Sequence, residues 1–157
     1  MRVSMSITQF KPHNDLLKKI LNASLGEVVT VLVENLNCKI YLDLIEQNTP
    51  KPGTEFERKI TVSAGGLPLI RAVIKFDRKT LPPFIVKDLL QKRRKIGTIL
   101  ELNGIPNKKN IVFLTRDQKM LFRIYEIKND SKVWFEISEE INLDYLYSIQ
   151  REFSLLN

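Results

Sequence analysis

The stretch "EFERKITVSAGGLPLIRAVIKF", residues 55 to 76, constrains the fold more than any other part of the chain. Two segments of alternating character flank Ala-Gly-Gly at 64 to 66. Successive strand side chains point to opposite faces, so the pattern reads as two antiparallel strands joined by a tight glycine turn. In the first strand Phe56, Arg58, Ile60 and Val62 share one parity, and Glu57, Lys59, Thr61 and Ser63 share the other. One face is polar throughout. The other is apolar except for a guanidinium. An unpaired buried charge is costly, so Arg58 needs a partner, a route to solvent or a cavity.

The rest of the chain supplies what such a hairpin needs around it. "HNDLLKKILNAS" reads as a helix capped by Asn14 or Asp15, with Leu16, Leu17, Ile20 and Leu21 on one side and Gly26 beyond its end. "EVVTVLVEN" (27 to 35) is short and β-branched and reads as a strand, hairpin-paired through Asn35 to Asn37 with a second strand at 36 to 46. "QNTPKPG" (47 to 53) reads as a loop. "LPPFIVKDLLQKR" opens with prolines suited to a first helical turn and continues with Phe84, Ile85, Leu89 and Leu90 at helical spacing. A second short helix is expected over 95 to 104. Two strands around a polar turn at Arg116 to Lys119 are expected over 110 to 129. Residues 142 to 157 predict an amphipathic helix with Leu146, Ile149, Phe153 and Leu156 in register. Strands outnumber helices and come in hairpins, which predicts an α+β domain with a mainly antiparallel sheet. "AGGLP" lacks the strand-loop-helix setting of a nucleotide site.

Composition narrows the function. The chain has 157 residues, one cysteine (Cys38) and one histidine (His13). That excludes an internal disulfide framework and argues against a Cys/His metal site. Cys38 reads as inert packing and His13 as a surface residue. No apolar run is long enough to cross a bilayer, and the first residues lack the apolar core of a signal peptide, so a cytoplasmic protein with no membrane partner is expected. Net charge is +7; the charge is not gathered into one tail, and its densest cluster is "KRRK" (92 to 95). No aromatic residues interleave that cluster to stack bases, so it reads as a solvated helix end and nucleic acid is not the expected partner.

A second misfit lies in the strand at 120 to 128, where Glu126 is in phase with Met120, Phe122 and Ile124. Two readings of Arg58 and Glu126 stand together. They form a structural ion pair or reach solvent at strand ends. Alternatively they line a small pocket, where Arg58 offers a planar fork to a ligand carboxylate and Glu126 accepts a hydrogen bond from a hydroxyl at the other end.

The run from "ERKITVSAGGLPLIRA" through "LPPFIVKDLL" to "KIGTIL", with "LGEVVTV" after the first helix, resembles the chorismate pyruvate-lyase family, including its archaeal and plastid-type relatives, over about residues 10 to 128. The resemblance implies a chorismate lyase-like single domain over 1 to 157, with an antiparallel sheet and helices enclosing an internal ligand cavity. Residues from about 139 to 157 would form a helical extension. It implies a lyase that converts chorismate to 4-hydroxybenzoate and pyruvate without metal or organic cofactor. It places carboxylate binding on Arg58 and the Ile96 backbone amide, and the hydroxyl end of the ligand on Glu126. Relatives depart from this chain at Leu16 to Lys18, at Val73, where many carry an arginine, and at Asn107 to Asn110. Arg71 lies on the same strand face as Val73. A non-catalytic module of the same fold that binds an aromatic acid is the alternative.

Overall fold

The strands of the described residues form one seven-stranded sheet in the order β1-β5-β6-β7-β4-β3-β2, antiparallel at every pairing. In this computed structural model, residues 3–4, 14–23, 26–48, 53 and 55–153 are described. The strands are β1 (Val3–Ser4), β2 (Ile40–Asn48), β3 (Glu55–Ala64), β4 (Leu67–Asp77), β5 (Lys108–Arg116), β6 (Met120–Asn129) and β7 (Lys132–Asn142). The helices are α1 (Asp15–Asn22), α2 (Val28–Asn35), α3 (Pro83–Leu90), α4 (Ile96–Leu102) and α5 (Leu143–Phe153). The expected α+β class with an antiparallel sheet is what the chain adopts. None of the described helices is long and apolar enough to cross a membrane.

The glycine hairpin forms as read, with Gly65 and Gly66 both at positive φ. Its inward side chains and those of β4, β6 and β7 fill one face of the sheet, where the helices pack. Two apolar clusters result. One gathers α1, α2 and α5 through Leu17, Ile20, Leu32, Leu146 and Ile149. The other gathers α3 and α4 through Ile85, Leu89, Ile99 and Leu100, above Phe56, Phe76 and Phe135. Phe56 stacks on Phe76 with ring centroids 5.1 Å apart, a cross-strand pair of the kind that fixes register.

Three expectations need correction. Residues 28–35 are helix, not strand. Val28, Leu32 and Leu36 are four apart and face the first cluster, and Asn35 donates its side-chain amide to the Val31 carbonyl at 2.7 Å. β-branched residues cost a helix only about half a kcal/mol each, so packing at i, i+4, i+8 prevails over propensity. With 28–35 helical, β2 pairs with β3 rather than with that segment, and it runs through Gln47 and Asn48, into the expected loop. The helical extension expected from about residue 139 begins only at Leu143, because residues 132–142 are strand. They form β7, which lies between β4 and β6 at the centre of the sheet and buries Phe135, Ile137 and Ile141.

The remaining elements match. Asn14 caps α1, its Oδ1 accepting the Leu17 N–H at 3.0 Å. Leu146 and Ile149 of α5 are buried as the stripe required. Cys38 packs beside the first cluster, and burial holds its thiol above the ordinary range. His13 and Leu156 lie outside the described residues.

Candidate functional site

Arg58 is buried, as its parity demanded, with 3% of its surface exposed. β2 delivers its neighbour. Leu44 pairs with Ile60 and Glu46 with Lys59, so Ile45 is an extra residue, a β-bulge. A regular strand would continue the inward series Leu42, Leu44 with Glu46. The bulge flips the parity and turns Gln47 inward, opposite Arg58. Gln47 Oε1 accepts from Arg58 Nε at 2.7 Å. Arg58 Nη1 donates to the Arg94 carbonyl at 3.0 Å and Nη2 to the Leu89 carbonyl at 3.1 Å. The Leu89 carbonyl also accepts the Gln47 amide at 3.0 Å and lies at the C-terminal end of α3, where the helix dipole favours a cation.

All three acceptors of Arg58 are neutral. Among the described residues no carboxylate pairs with it within 4.0 Å. Burial pulls its pKa down to about 10, with the field of Asp88 opposing. The group remains charged at neutral pH. A guanidinium has five N–H donors, and three are used, which leaves one on each Nη nitrogen.

Beside Arg58 is a cavity of about 310 Å³. Its apolar walls are Leu42 and Leu44 of β2, Ile60 of β3, Ile74 of β4 and Ile96 of α4. The exposed loop Lys92 to Lys95 forms its rim, and among the described residues Asp43 is the only acidic one on its lining. Of these rim cations Arg94 pairs with Asp88 at 3.1 Å. Gly26, at φ +96, closes one side together with Gly97. A Cβ on Gly26 would approach the Gly97 Cα to 3.0 Å, so the two backbones meet where a side chain has no room. The volume suits a small ring compound, and the electrostatics favour an anion.

Of the residues read from the sequence, the structure brings Arg58 and Ile96 to this cavity. It does not bring Glu126. The cross-strand row Arg58–Ile74–Ile137–Tyr125 shows that Tyr125 shares the face of Arg58 and that Glu126 faces away. Glu126 is 3.8 Å from Lys128 and 3.5 Å from the Asn110 amide, at the partly exposed face. The Arg58–Glu126 ion pair is therefore not formed.

A second buried polar group escaped the sequence reading. Arg123, fully buried, donates to Glu139 Oε1 at 2.8 Å and to the Leu21 carbonyl at 3.0 Å. Tyr125 donates its hydroxyl to Glu139 Oε2 at 3.1 Å, and burial with the Glu139 charge holds that phenol well above its ordinary range. Lys109 donates to the Leu21 and Ala23 carbonyls, both at 2.7 Å, so two cations cap the end of α1. The row Ile60–Ala72–Glu139–Arg123 runs beside the row of Arg58, and Ile60 lines the cavity. A signal for this group existed in β6. Leu121, Arg123, Tyr125 and Ile127 form an inward series as apolar as the one containing Glu126, with a cation in it.

No family model matches the chain, and no curated protein matches it. The fold and the site thus define an α+β protein with a cationic cavity on the helix-covered face of an antiparallel sheet.

Proposed function

We propose that the protein binds a small cyclic carboxylate against Arg58 and is a chorismate pyruvate-lyase-like enzyme that forms 4-hydroxybenzoate and pyruvate. One observation carries the reading. A buried arginine with only neutral partners borders a cavity of ring-compound size, rimmed by further cations. A ligand carboxylate would supply the missing counter-charge and take the two remaining guanidinium donors. The first-turn amide of Ile96, which lacks an intrahelical acceptor as all such amides do, adds a neutral donor. The apolar walls hold the ring, and the Lys92 to Lys95 rim attracts a dianion.

In the proposed reaction the ring C–O bond to the enolpyruvyl group breaks. A hydrogen leaves the hydroxyl-bearing ring carbon and ends on the methylene carbon of the departing group, which becomes pyruvate, while the ring becomes aromatic. The reaction runs downhill, so positioning and charge stabilisation are the tasks left to the protein. Glu126 cannot orient the hydroxyl end from its observed face. Neither Glu139 nor Tyr125 lines the cavity either.

Because no acid other than Asp43 lines the cavity among the described residues, a second reading is also favoured: a module that binds an aromatic acid without turning it over. Incubation of purified protein with chorismate, with and without chelator, separates the two. The lyase reading expects pyruvate and 4-hydroxybenzoate in equal amounts under both conditions. Bound 4-hydroxybenzoate with intact chorismate would establish the binding module. Neither binding nor turnover would remove both.

A further inference from the structure

The bulge at Ile45 decides which side chain meets Arg58, and the choice is chemical. A regular β2 would present Glu46, a carboxylate that would neutralise the guanidinium. The bulge presents Gln47 instead, and Glu46 goes to the outer face, 3.6 Å from Lys59. We propose that Gln47 is the specificity-determining residue of the cavity: a neutral amide, inserted by the bulge, that fixes the Arg58 guanidinium without neutralising it and so reserves its charge for an anionic ligand. This rests on the reading of the cavity as a carboxylate site.

The geometry supports both halves of that role. Gln47 is buried and makes two bonds in opposite senses. Its oxygen takes the Nε proton, the donor farthest from the fork of terminal nitrogens. Its amide nitrogen ties the side chain to the Leu89 carbonyl, which also holds Nη2. Rotation of the guanidinium about its last bonds is blocked by three anchors, and none of them carries a charge. The fork is thus preorganised, and a ligand need not order it on binding. A glutamate at this position would offer the same acceptor to Nε but would bring its own counter-ion. An entering carboxylate would then face a neutral pair with one more negative charge beside it.

The test uses the full chain, Gln47→Glu, and two probes of equal shape, 4-hydroxybenzoate and its uncharged analogue 4-hydroxybenzamide. In the wild type the acid should bind more tightly than the amide by roughly a hundredfold, as expected when a charged hydrogen bond is lost. In Gln47→Glu that preference should fall to about tenfold or less. A purely structural role would weaken both probes alike and leave their ratio unchanged, which would overturn the proposal.

A second readout needs no ligand. The introduced carboxyl, next to a guanidinium with no carboxylate paired within 4.0 Å among the described residues, should have a depressed pKa in the folded state. Its contribution to stability is then present above the unfolded pKa and lost as pH falls through the folded one. The melting temperature of the variant relative to wild type should therefore rise between about pH 3 and pH 6. A flat or falling difference would mean that Arg58 is not free to attract a negative charge, and would overturn the inference. If wild type binds neither probe but the pH slope appears, the ligand reading fails while the role of Gln47 in preserving the charge stands.

Discussion

Arg58 and Glu126 show how far a period of two can be read. Parity alone put Arg58 inward, because the opposite face of β3 is polar at every position. In β6 as far as Ile127 both parities are apolar and each contains one charged residue, so parity could not choose. The choice was made by β7, which pairs Glu139 beside Arg123, and β7 itself was not recognised as a strand. The buried charge therefore belongs to Arg123, and the two acids of this region should respond very differently to neutralisation. Glu139→Gln strands a fully buried guanidinium and is expected to cost about 3–5 kcal/mol. Glu126→Gln, at a partly exposed ion pair, should stay within about 0.5 kcal/mol. Urea denaturation of both variants checks this, and similar losses would contradict the assignment of faces. Lys109 gives a prediction in pH. Burial, reinforced by Arg123, pulls its pKa from 10.5 down to about 8. Between those values the unfolded chain binds more protons than the folded one, so this site's contribution to stability rises with pH. The neutral amine keeps two N–H groups, enough for the Leu21 and Ala23 carbonyls. The stability difference between wild type and Lys109→Met should widen from about pH 8 to pH 10, as followed by thermal melts at each pH. A constant difference would show that Lys109 titrates normally in the fold.

At the scale of elements, hairpins with strong turn signals were legible and isolated short segments were not. The Gly65–Gly66 turn and the Arg116 to Lys119 turn each announced both of their strands. α2 departs from the expected strand because β-branching is a local signal, whereas the packing of Leu32 that favours a helix comes from α1 and the first apolar cluster. The bulge in β2 was invisible for a related reason. Nothing local distinguishes Ile45, and its effect appears only in register with β3. Gly26 was readable as a stop signal, but its closer role is the backbone crossing with Gly97 at the cavity wall. Gly26→Ala puts an L side chain at φ +96 and a methyl 3.0 Å from backbone. A loss of about 1–3 kcal/mol is expected, with weaker ligand binding because the displaced segment borders the cavity. Thermal melts and titration with 4-hydroxybenzoate on the same variant check both effects. Unchanged stability would mean that the crossing relaxes freely.

For the whole molecule, the late position of β7 ties the end of the chain to the beginning. Its residues pair with β4 and β6, and α5 completes the cluster that holds α1 and α2. Truncation after Ser138 removes Glu139, Ile141 and α5 together. It should abolish cooperative unfolding, not merely lower the melting temperature, as judged by calorimetry. A cooperative transition in that fragment would contradict the central place given to β7. The cavity lies where the two apolar clusters meet, with Leu42 packed on one and Ile60 on the other. Its cationic character depends on Arg58 having neutral partners. A crystal structure with 4-hydroxybenzoate tests that account most directly. The carboxylate should lie within hydrogen-bonding distance of the Arg58 terminal nitrogens, with the ring between Leu44 and Ile96. A ligand bound instead at the outer face near Glu126, or an Arg58 that makes no contact with it at saturating concentration, would contradict the account.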